Sequence, residues 1–308
     1  MANEKKTLGI KARERISNTV IYIILVIMSI IWLTPFVCIV FQSFRTGKFD
    51  RDASGNVIMV DGAPKVVNYR GQSGTVIPEV WGFENYTDLL DTDFVIWYKN
   101  TFVLAVFCAV VSTFMVLCMS YTLSRFRFKL RKPLMKFMLV LGLFPGILGM
   151  IILYRVLKDL GLTQANSVPG LMLVYTASTG MGYYISKGFF DTIPMSLDES
   201  ARIDGANRMQ VFFRIILPLS KPIVIYTILT AFLGPWGDFM FAKYVAFGTS
   251  KGMNVAVGLA SWLSNDQINN KYTMFCAGGV LVAIPVTVLF LCLQKYYVEG
   301  VTGGAVKG

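Results

Sequence analysis

Six long apolar runs divide this chain and limit its fold more than any other feature of the sequence. A helix needs about 20 mostly apolar residues to cross about 30 Å of hydrocarbon. Charged residues make up only 15% of the chain and its mean hydropathy is +0.58, whereas soluble domains carry about 25% charged residues. The sequence therefore predicts an all-α integral membrane protein whose six transmembrane helices are Val20–Phe41, Thr101–Ser124, Leu134–Leu153, Val168–Ile185, Pro222–Ala246 and Tyr272–Leu293.

The distribution of lysine and arginine predicts the orientation of these helices. With both termini in the cytoplasm, the cytoplasmic segments hold seventeen of these residues and the external segments hold ten. Loops rich in lysine and arginine stay on the cytoplasmic side, so we expect both termini to be cytoplasmic. The predicted parts are a cytoplasmic N-terminal segment (1–19), a transmembrane domain (20–293) with an external loop (42–100) and a cytoplasmic loop (186–221), and a cytoplasmic tail (294–308).

The densest basic run, Arg125–Lys132, lies between two of the apolar runs. Such a run can contact anionic lipid or nucleic acid, but its position between predicted spans is typical of a topology signal. We therefore expect membrane lipid as a partner and no nucleic acid.

Several kinds of chemistry lack their usual residues. The sequence has no histidine, which is the commonest metal ligand and general base, and its five cysteines all fall inside apolar runs. A phosphate-binding loop of the Gly-x-x-x-x-Gly-Lys-Ser/Thr type is also missing, and Gly182–Lys187 lacks its spacing. The sequence thus predicts no catalytic residues, no metal site, no disulfide framework and no cofactor in this chain.

The external loop contains a pattern of strand, turn and strand. Val57–Val60 and Val66–Tyr69 flank an Asp61-Gly62 turn, which predicts a β-hairpin. The segment Trp81–Leu90 predicts a short helix that follows it.

The cytoplasmic loop carries the most informative pattern. Ser196 with Glu199, and Asn207 with Gln210, each have the spacing of a capping box at the start of a helix. Gly205 lies between them, where a left-handed residue ends the first helix, and Pro218 is predicted to end the second. Met209, Phe212, Phe213 and Ile216 recur every three or four residues, which predicts one exposed apolar face. On this pattern alone, a linker that lies on the membrane surface remains an alternative.

This loop resembles the "EAA" loop of ATP-binding-cassette importer permeases. The matching positions are Glu199, Ala201, Asp204, Gly205, Ala206, Phe213, Ile216, Leu217 and Pro218, and Ser200 departs from the usual alanine. The segments Gly188–Pro194 and Gln294–Gly308 are similar to the maltose and maltodextrin permeases of the MalG-like family, and the resemblance covers the chain from about Thr19 onward.

The resemblance implies a permease subunit of a binding-protein-dependent importer in the bacterial cytoplasmic (inner) membrane. It would form half of the path for an oligosaccharide and would not be an enzyme. The implied partners are a second, MalF-like permease, two ATPase subunits that hold ATP and Mg²⁺, and an extracellular sugar-binding protein. The residues implied to contact an ATPase subunit are Glu199, Ala201, Asp204, Gly205, Ala206, Phe212, Phe213, Leu217 and Pro218. The tail would reach between the ATPase subunits, unless it is a frayed terminus.

Two breaks in the apolar runs suggest where a substrate passes. Glycine and proline interrupt the third run at Gly142–Gly149 and the fifth at Gly234–Asp238, and broken helices often border substrate sites. The candidate path residues are Tyr154, Tyr183, Trp236 and Asp238. The alternatives are an interfacial belt for the aromatic residues and an outer-surface position for Asp238 and Lys243.

The main competing class is a secondary transporter driven by an ion gradient. Such a protein usually has acidic or histidine relays within the membrane and repeat symmetry, and the sequence shows neither. A non-transporting scaffold would leave the helix–glycine–helix pattern without a purpose.

Overall fold

The computed structural model describes residues 10–72, 75–143, 146–177, 180–264 and 267–305. The chain is mostly helical. Its helices are α1 (Ile10–Ser43), α2 (Glu84–Leu90), α3 (Phe94–Arg125), α4 (Arg131–Gly142), α5 (Gly146–Asp159), α6 (Ser167–Ala177), α7 (Gly180–Asp191), α8 (Met195–Ile203), α9 (Arg208–Val211), α10 (Leu217–Leu219), α11 (Lys221–Gly237), α12 (Met240–Ala246), α13 (Val255–Ser261) and α14 (Ile268–Ala305). Its strands are β1 (Arg45–Phe49), β2 (Met59–Val60), β3 (Ala63–Pro64), β4 (Val66–Asn68) and β5 (Val80–Trp81).

Within the described residues, three helices are long and apolar enough to cross a membrane, and up to five if each of two sharply bent pairs is one span. The three are α1, α3 and α14, which contain three of the predicted spans. Helix α14 continues past the predicted end of its span to Ala305. Six spans and the two predicted terminal segments therefore stay predictions.

The other three predicted spans each contain parts of two of the described helices. The run 134–153 is split between α4 and α5, which meet at 102°. Pro145 lies outside the described residues. The run 168–185 contains α6 and α7, and residues 178 and 179 between them lie outside the described residues. The run 222–246 is split between α11 and α12, as its Gly-Pro-Trp-Gly-Asp segment predicted. Helix α11 ends there because the backbone of Asp238 is in the extended conformation.

Contacts divide the described residues into two compact units, Met1–Thr87 with Asn265–Val280 and Asp88–Ser264 with Leu281–Gly308. In the first unit, β1 is the middle strand of an antiparallel sheet with β4 and β5. Strands β2 and β3 form a hairpin through a tight turn at Asp61 and Gly62, which have φ of 53° and 80°.

The predicted hairpin is therefore only partly correct. The turn lies where it was predicted, but Val66–Asn68 pairs with β1 rather than with Val57–Val60. The predicted helix over Trp81–Leu90 begins later, at Glu84, because Trp81 belongs to β5. The buried amide of Asn85 connects these parts: it donates to the carbonyls of Ser43 (2.9 Å) and Arg45 (2.7 Å) and accepts from the Thr273 hydroxyl (2.9 Å).

In the second unit, α3 is the central helix and packs against α6, α7 and α11. One buried apolar cluster surrounds the end of α3 around Tyr121 and Phe190, and a second surrounds Leu104 and Phe241. The first cluster includes side chains of the 186–221 loop, among them Phe212 and Ile216, and so packs this loop against α3.

Candidate functional site

The first helix of the 186–221 loop, α8, begins at Met195 after Pro194. Pro194 is its N-cap and makes no side-chain capping hydrogen bond. The predicted capping box of Ser196 with Glu199 is therefore wrong, because Ser196 already lies inside the first turn.

The corner of the loop is at Gly205, as predicted. Its φ is +84°, in the left-handed region. The amide of Ala206 donates to the carbonyl of Ala201 at 2.9 Å, and the amide of Gly205 donates to that of Arg202 at 3.1 Å. These two bonds are those of a Schellman motif, in which glycine avoids the steric cost of the left-handed residue.

The second helix begins with the predicted capping box. The Gln210 amide donates to Asn207 Oδ1 at 2.9 Å, and the Asn207 amide donates to Gln210 Oε1 at 2.8 Å. After α9 the chain makes a π-helical turn at Phe212–Ile216 and continues through α10 before it bends by 84° into α11. Pro218 does not end this helix, because it lies in the first turn of the new α-helical segment, where its missing N–H costs little.

The π-helical turn also changes which side chains face outward. Phe212 and Ile216 are 4% and 0% exposed, whereas Met209 and Phe213 are 64% and 44% exposed. The predicted single exposed face is therefore wrong, since hydrogen bonds to the fifth residue alter the helical spacing. The ring of Phe212 packs on Tyr121 of α3, with centroids 4.8 Å apart.

Beneath the loop, charged side chains connect it to the ends of α3 and α7. Arg125 Nε lies 3.1 Å from Asp198 Oδ2, and the two side chains are 6% and 13% exposed. Arg125 also donates to the carbonyl of Ile193 at 3.0 Å. Ser124 donates to Asp191 at 2.6 Å, and Lys187 forms an ion pair with the same carboxylate.

These environments shift two carboxyl groups in opposite directions. Burial raises the pKa of Asp198 above its ordinary value, although the nearby Arg125 guanidinium opposes the shift. Burial also acts on Asp191, but the hydrogen bonds from Lys187 and Ser124 outweigh it and lower its pKa. Asp191 is therefore ionised in this loop, whereas for Asp198 burial opposes ionisation and the Arg125 guanidinium favours it.

Sequence reasoning missed this set of charges. It treated Arg125 only as part of a basic run and gave no role to Lys187, Asp191 or Asp198. The spacing of Lys187 and Asp191, four residues apart on one helix, was a signal for one of the pairs. The pair of Arg125 with Asp198 had no such local signal.

The predicted contact residues fall into three groups in the structure. Ala201 and Phe212 are buried, Ala206 and Leu217 are half-buried, and the exposed ones are Glu199, Asp204, Gly205, Phe213 and Pro218. The exposed surface also includes apolar side chains that the sequence did not single out, Ile203 and Leu219.

The structure does not bring the four predicted path residues together. Tyr154 packs on Tyr244 with ring centroids 4.3 Å apart, and buried Trp236 packs on Tyr98 at 5.5 Å. Asp238 accepts hydrogen bonds from the Tyr175 hydroxyl and, at 3.1 Å, from the Phe241 amide, so it caps the break before α12. Tyr183 faces a separate opening beside α4.

A cavity of about 370 Å³ lies between α3, α6, α7 and α11, and sequence reasoning did not find it. Tyr175 connects it to the predicted residue Asp238. A signal was present in α11, where Thr227 and Thr230 interrupt an apolar helix three residues apart. The residues that line it are Cys108, Ser112, Val116, Tyr175, Gly182, Ile185, Tyr226, Thr227, Thr230, Ala231, Gly234 and Pro235.

Comparisons with known proteins agree with one another. A family described as "Binding-protein-dependent transport system inner membrane component" matches residues 116–303. The galactooligosaccharides transport system permease protein GanQ of Bacillus subtilis is 38% identical over 241 residues, which cover 77% of this chain and 84% of that protein. The maltodextrin permease protein MdxG of the same organism is 32% identical, over 93% of this chain and 95% of that protein.

The fold is also found in a solved structure. A chain of a bacterial ABC transporter involved in the import of the acidic polysaccharide alginate superposes with a TM-score of 0.74. The two chains are 23% identical, and the match covers 94% of this chain and all of the other.

Proposed function

Because this chain belongs to the family of binding-protein-dependent transport system inner membrane components, we propose that it forms half of the path by which an ATP-driven importer carries a neutral oligosaccharide across the cytoplasmic membrane. The chain is a permease subunit and not an enzyme, and ATP is hydrolysed by partner subunits. Relatives named for galactooligosaccharides, maltodextrin and arabinooligosaccharides support the substrate class.

The proposed assembly contains a second, MalF-like permease, two ATPase subunits that bind ATP and Mg²⁺, and an external sugar-binding protein. We place both termini and the 186–221 loop in the cytoplasm and the 42–100 loop outside. The chain would then cross the membrane six times. The excess of lysine and arginine in the proposed cytoplasmic segments supports this orientation. The candidate path residues remain Tyr154, Tyr183, Trp236 and Asp238, and the proposed tail is 294–308.

The 186–221 loop is the proposed contact with an ATPase subunit. The observation that carries this proposal is that the loop is fixed to α3 from beneath by Phe212 and by the ion pair of Arg125 with Asp198. A force applied to the loop therefore reaches a membrane helix instead of only deforming a linker.

The outer side of the loop offers the contact surface. Ile203, Met209 and Phe213 are exposed apolar side chains, and the carboxylates of Glu199 and Asp204 are exposed beside them. Exposed aromatic side chains that enter a partner's pocket often carry most of an interface's energy. We therefore assign the aromatic contact to Phe213, while Phe212 holds the loop to its own chain.

Replacing Phe213 tests this assignment. We expect Phe213→Ser to weaken copurification of the ATPase subunits and to lower sugar-stimulated ATP hydrolysis about tenfold or more, as for an interface residue worth over 1 kcal/mol. Phe83, an exposed phenylalanine near the end of the 42–100 loop, is the matched control. The proposal fails if Phe213→Ser retains the ATPase subunits as well as Phe83→Ser does.

A further inference from the structure

The cavity between α3, α6, α7 and α11 offers hydrogen-bond acceptors in an apolar setting. The hydroxyl of Thr227 donates to the Ile223 carbonyl at 2.7 Å, and that of Thr230 donates to the Tyr226 carbonyl at 2.9 Å. The Tyr175 hydroxyl donates to Asp238. Because each hydroxyl proton is used within the protein, the oxygen lone pairs are what remain for a ligand.

Two further polar groups border the same space. The buried hydroxyl of Ser112 has no partner among the described residues except the weakly bonding thiol of Cys108. Pro235 lacks an N–H, so the carbonyl of Ala231, four residues earlier on α11, loses its helical donor. Ser112 and Ala231 both line the cavity, and a buried polar group without a partner is costly.

The rest of the lining consists of aromatic rings and small apolar groups. The rings of Tyr175 and Tyr226 border the cavity, and Gly234 leaves the wall open because no atom lies within 4 Å of its missing Cβ. Among the described residues that line it there is no lysine, arginine, aspartate or glutamate. This chemistry suits a neutral ligand that has both apolar faces and hydroxyl donors.

A sugar ring has this combination, since its C–H face packs on aromatic rings and its hydroxyls donate at the edge. The volume of about 370 Å³ is near the lower end of ligand pockets, about 300–1,000 Å³. We propose that this cavity binds one sugar ring of the oligosaccharide during transport, with acceptors from Tyr175, Thr230 and the Ala231 carbonyl. The proposal rests on the importer function above. Asp238 is then a positioning residue, because it orients Tyr175.

Three substitutions test the site in the complete complex, reconstituted in proteoliposomes with its binding protein. Thr230→Val removes one acceptor at nearly constant shape, Tyr175→Phe removes another, and Ser112→Leu fills the space. Thr122→Val is the matched control, because the Thr122 hydroxyl also donates within its helix, to Cys118 at 2.9 Å, but lies outside the cavity. The probes are radiolabelled maltotriose, a galactotriose and arabinotriose, of which the sugar imported by the unsubstituted complex is used.

We expect Thr230→Val and Tyr175→Phe each to lower the import rate at saturating binding protein about three- to tenfold, which is the effect of one neutral hydrogen bond. Ser112→Leu should abolish import while ATP hydrolysis stimulated by the binding protein continues. Thr122→Val should import at the unsubstituted rate.

The outcomes separate the two proposals. If the unsubstituted complex imports none of the three sugars with ATP, the proposed function fails at its substrate class. If it imports one of them and all three cavity variants match Thr122→Val, the sugar site is refuted. Equal import by all variants, together with loss of a copurified lipid in Ser112→Leu by mass spectrometry, would identify the cavity as a lipid pocket and would also refute it.

Discussion

The two long loops of this protein, 186–221 and 42–100, are held in different ways. In the first, the ion pair of Arg125 with Asp198 is almost buried, with side chains 6% and 13% exposed. In the second, Arg51 with Glu79 and Lys65 with Asp50 are open to solvent, with side chains 48% and 23% exposed in one pair and 50% and 29% in the other.

The difference matters because burial changes what an ion pair does. Removing one partner of a buried pair leaves an uncompensated charge and costs about 3–5 kcal/mol. An exposed pair contributes only about 0–1 kcal/mol. We infer that the 186–221 loop moves with α3 as one body, whereas the exposed strands β2, β3 and β4 of the 42–100 loop can adjust to a partner.

The largest expected effect comes from breaking the buried pair. Asp198→Ala should destabilise the complex by about 3–5 kcal/mol, because Arg125 stays buried without its carboxylate. The control Asp50→Ala removes half of an exposed pair and should change stability far less, because solvent screens that pair. Denaturant unfolding in detergent, with limited proteolysis of the loop, measures both.

A double variant sharpens that test. Arg125→Met with Asp198→Leu should lose less stability than Asp198→Ala alone, since neither charge remains buried. Equally small losses of stability in Asp198→Ala and Asp50→Ala would show that the two loops are held alike. The contrast between a buried and an exposed ion pair would then be wrong.

A smaller effect is expected at two glycines with the same conformation. Gly205 and Gly62 have φ of +84° and +80°, and no atom lies within 4 Å of either missing Cβ. Valine should cost each site about 1–2 kcal/mol of backbone strain. Gly205→Val should also lower sugar-stimulated ATP hydrolysis, because it redirects the helix that carries Phe213, while Gly62→Val should leave hydrolysis unchanged.

Both variants are measured in the same reconstituted complex, after confirming membrane insertion and affinity of the binding protein for sugar. Normal stimulation by Gly205→Val would remove the coupling role of the 186–221 loop and favour a linker on the membrane surface. A loss in Gly62→Val as large as that in Gly205→Val would show that the hairpin is not a neutral control.

The smallest expected effect is a pH dependence in the 42–100 loop. The Phe49 amide donates to Glu79 at 2.8 Å, and this bond, with the Arg51 guanidinium, lowers the pKa of Glu79 below its ordinary value. The stability that ionised Glu79 gives to this loop is therefore complete above the ordinary glutamate pKa. It is lost as the pH falls through the lowered pKa of Glu79. Hydrogen exchange at the Phe49 amide should rise in Glu79→Gln at neutral pH. If it does not rise, the carboxylate does not hold this strand.

Features that depend on neighbouring residues could be predicted from the sequence. The capping box of Asn207 and Gln210, the corner at Gly205 and the Asp61-Gly62 turn each involve hydrogen bonds or dihedral angles within a few residues. The capping box at Ser196 failed because Pro194, two residues earlier, is the N-cap, so Ser196 already lies inside the helix.

What the sequence by itself determined is the membrane class, the family resemblance and these local turns, because apolar length, composition and short-range hydrogen bonding are written in consecutive residues. Only the tertiary structure decided that β4 pairs with β1, that Phe212 faces Tyr121 and that Arg125 meets Asp198. It also decided that Ser112, Tyr175 and Thr230 line one cavity. Each of these depends on residues that are far apart in the chain, and packing selects such contacts from many that local propensity permits equally.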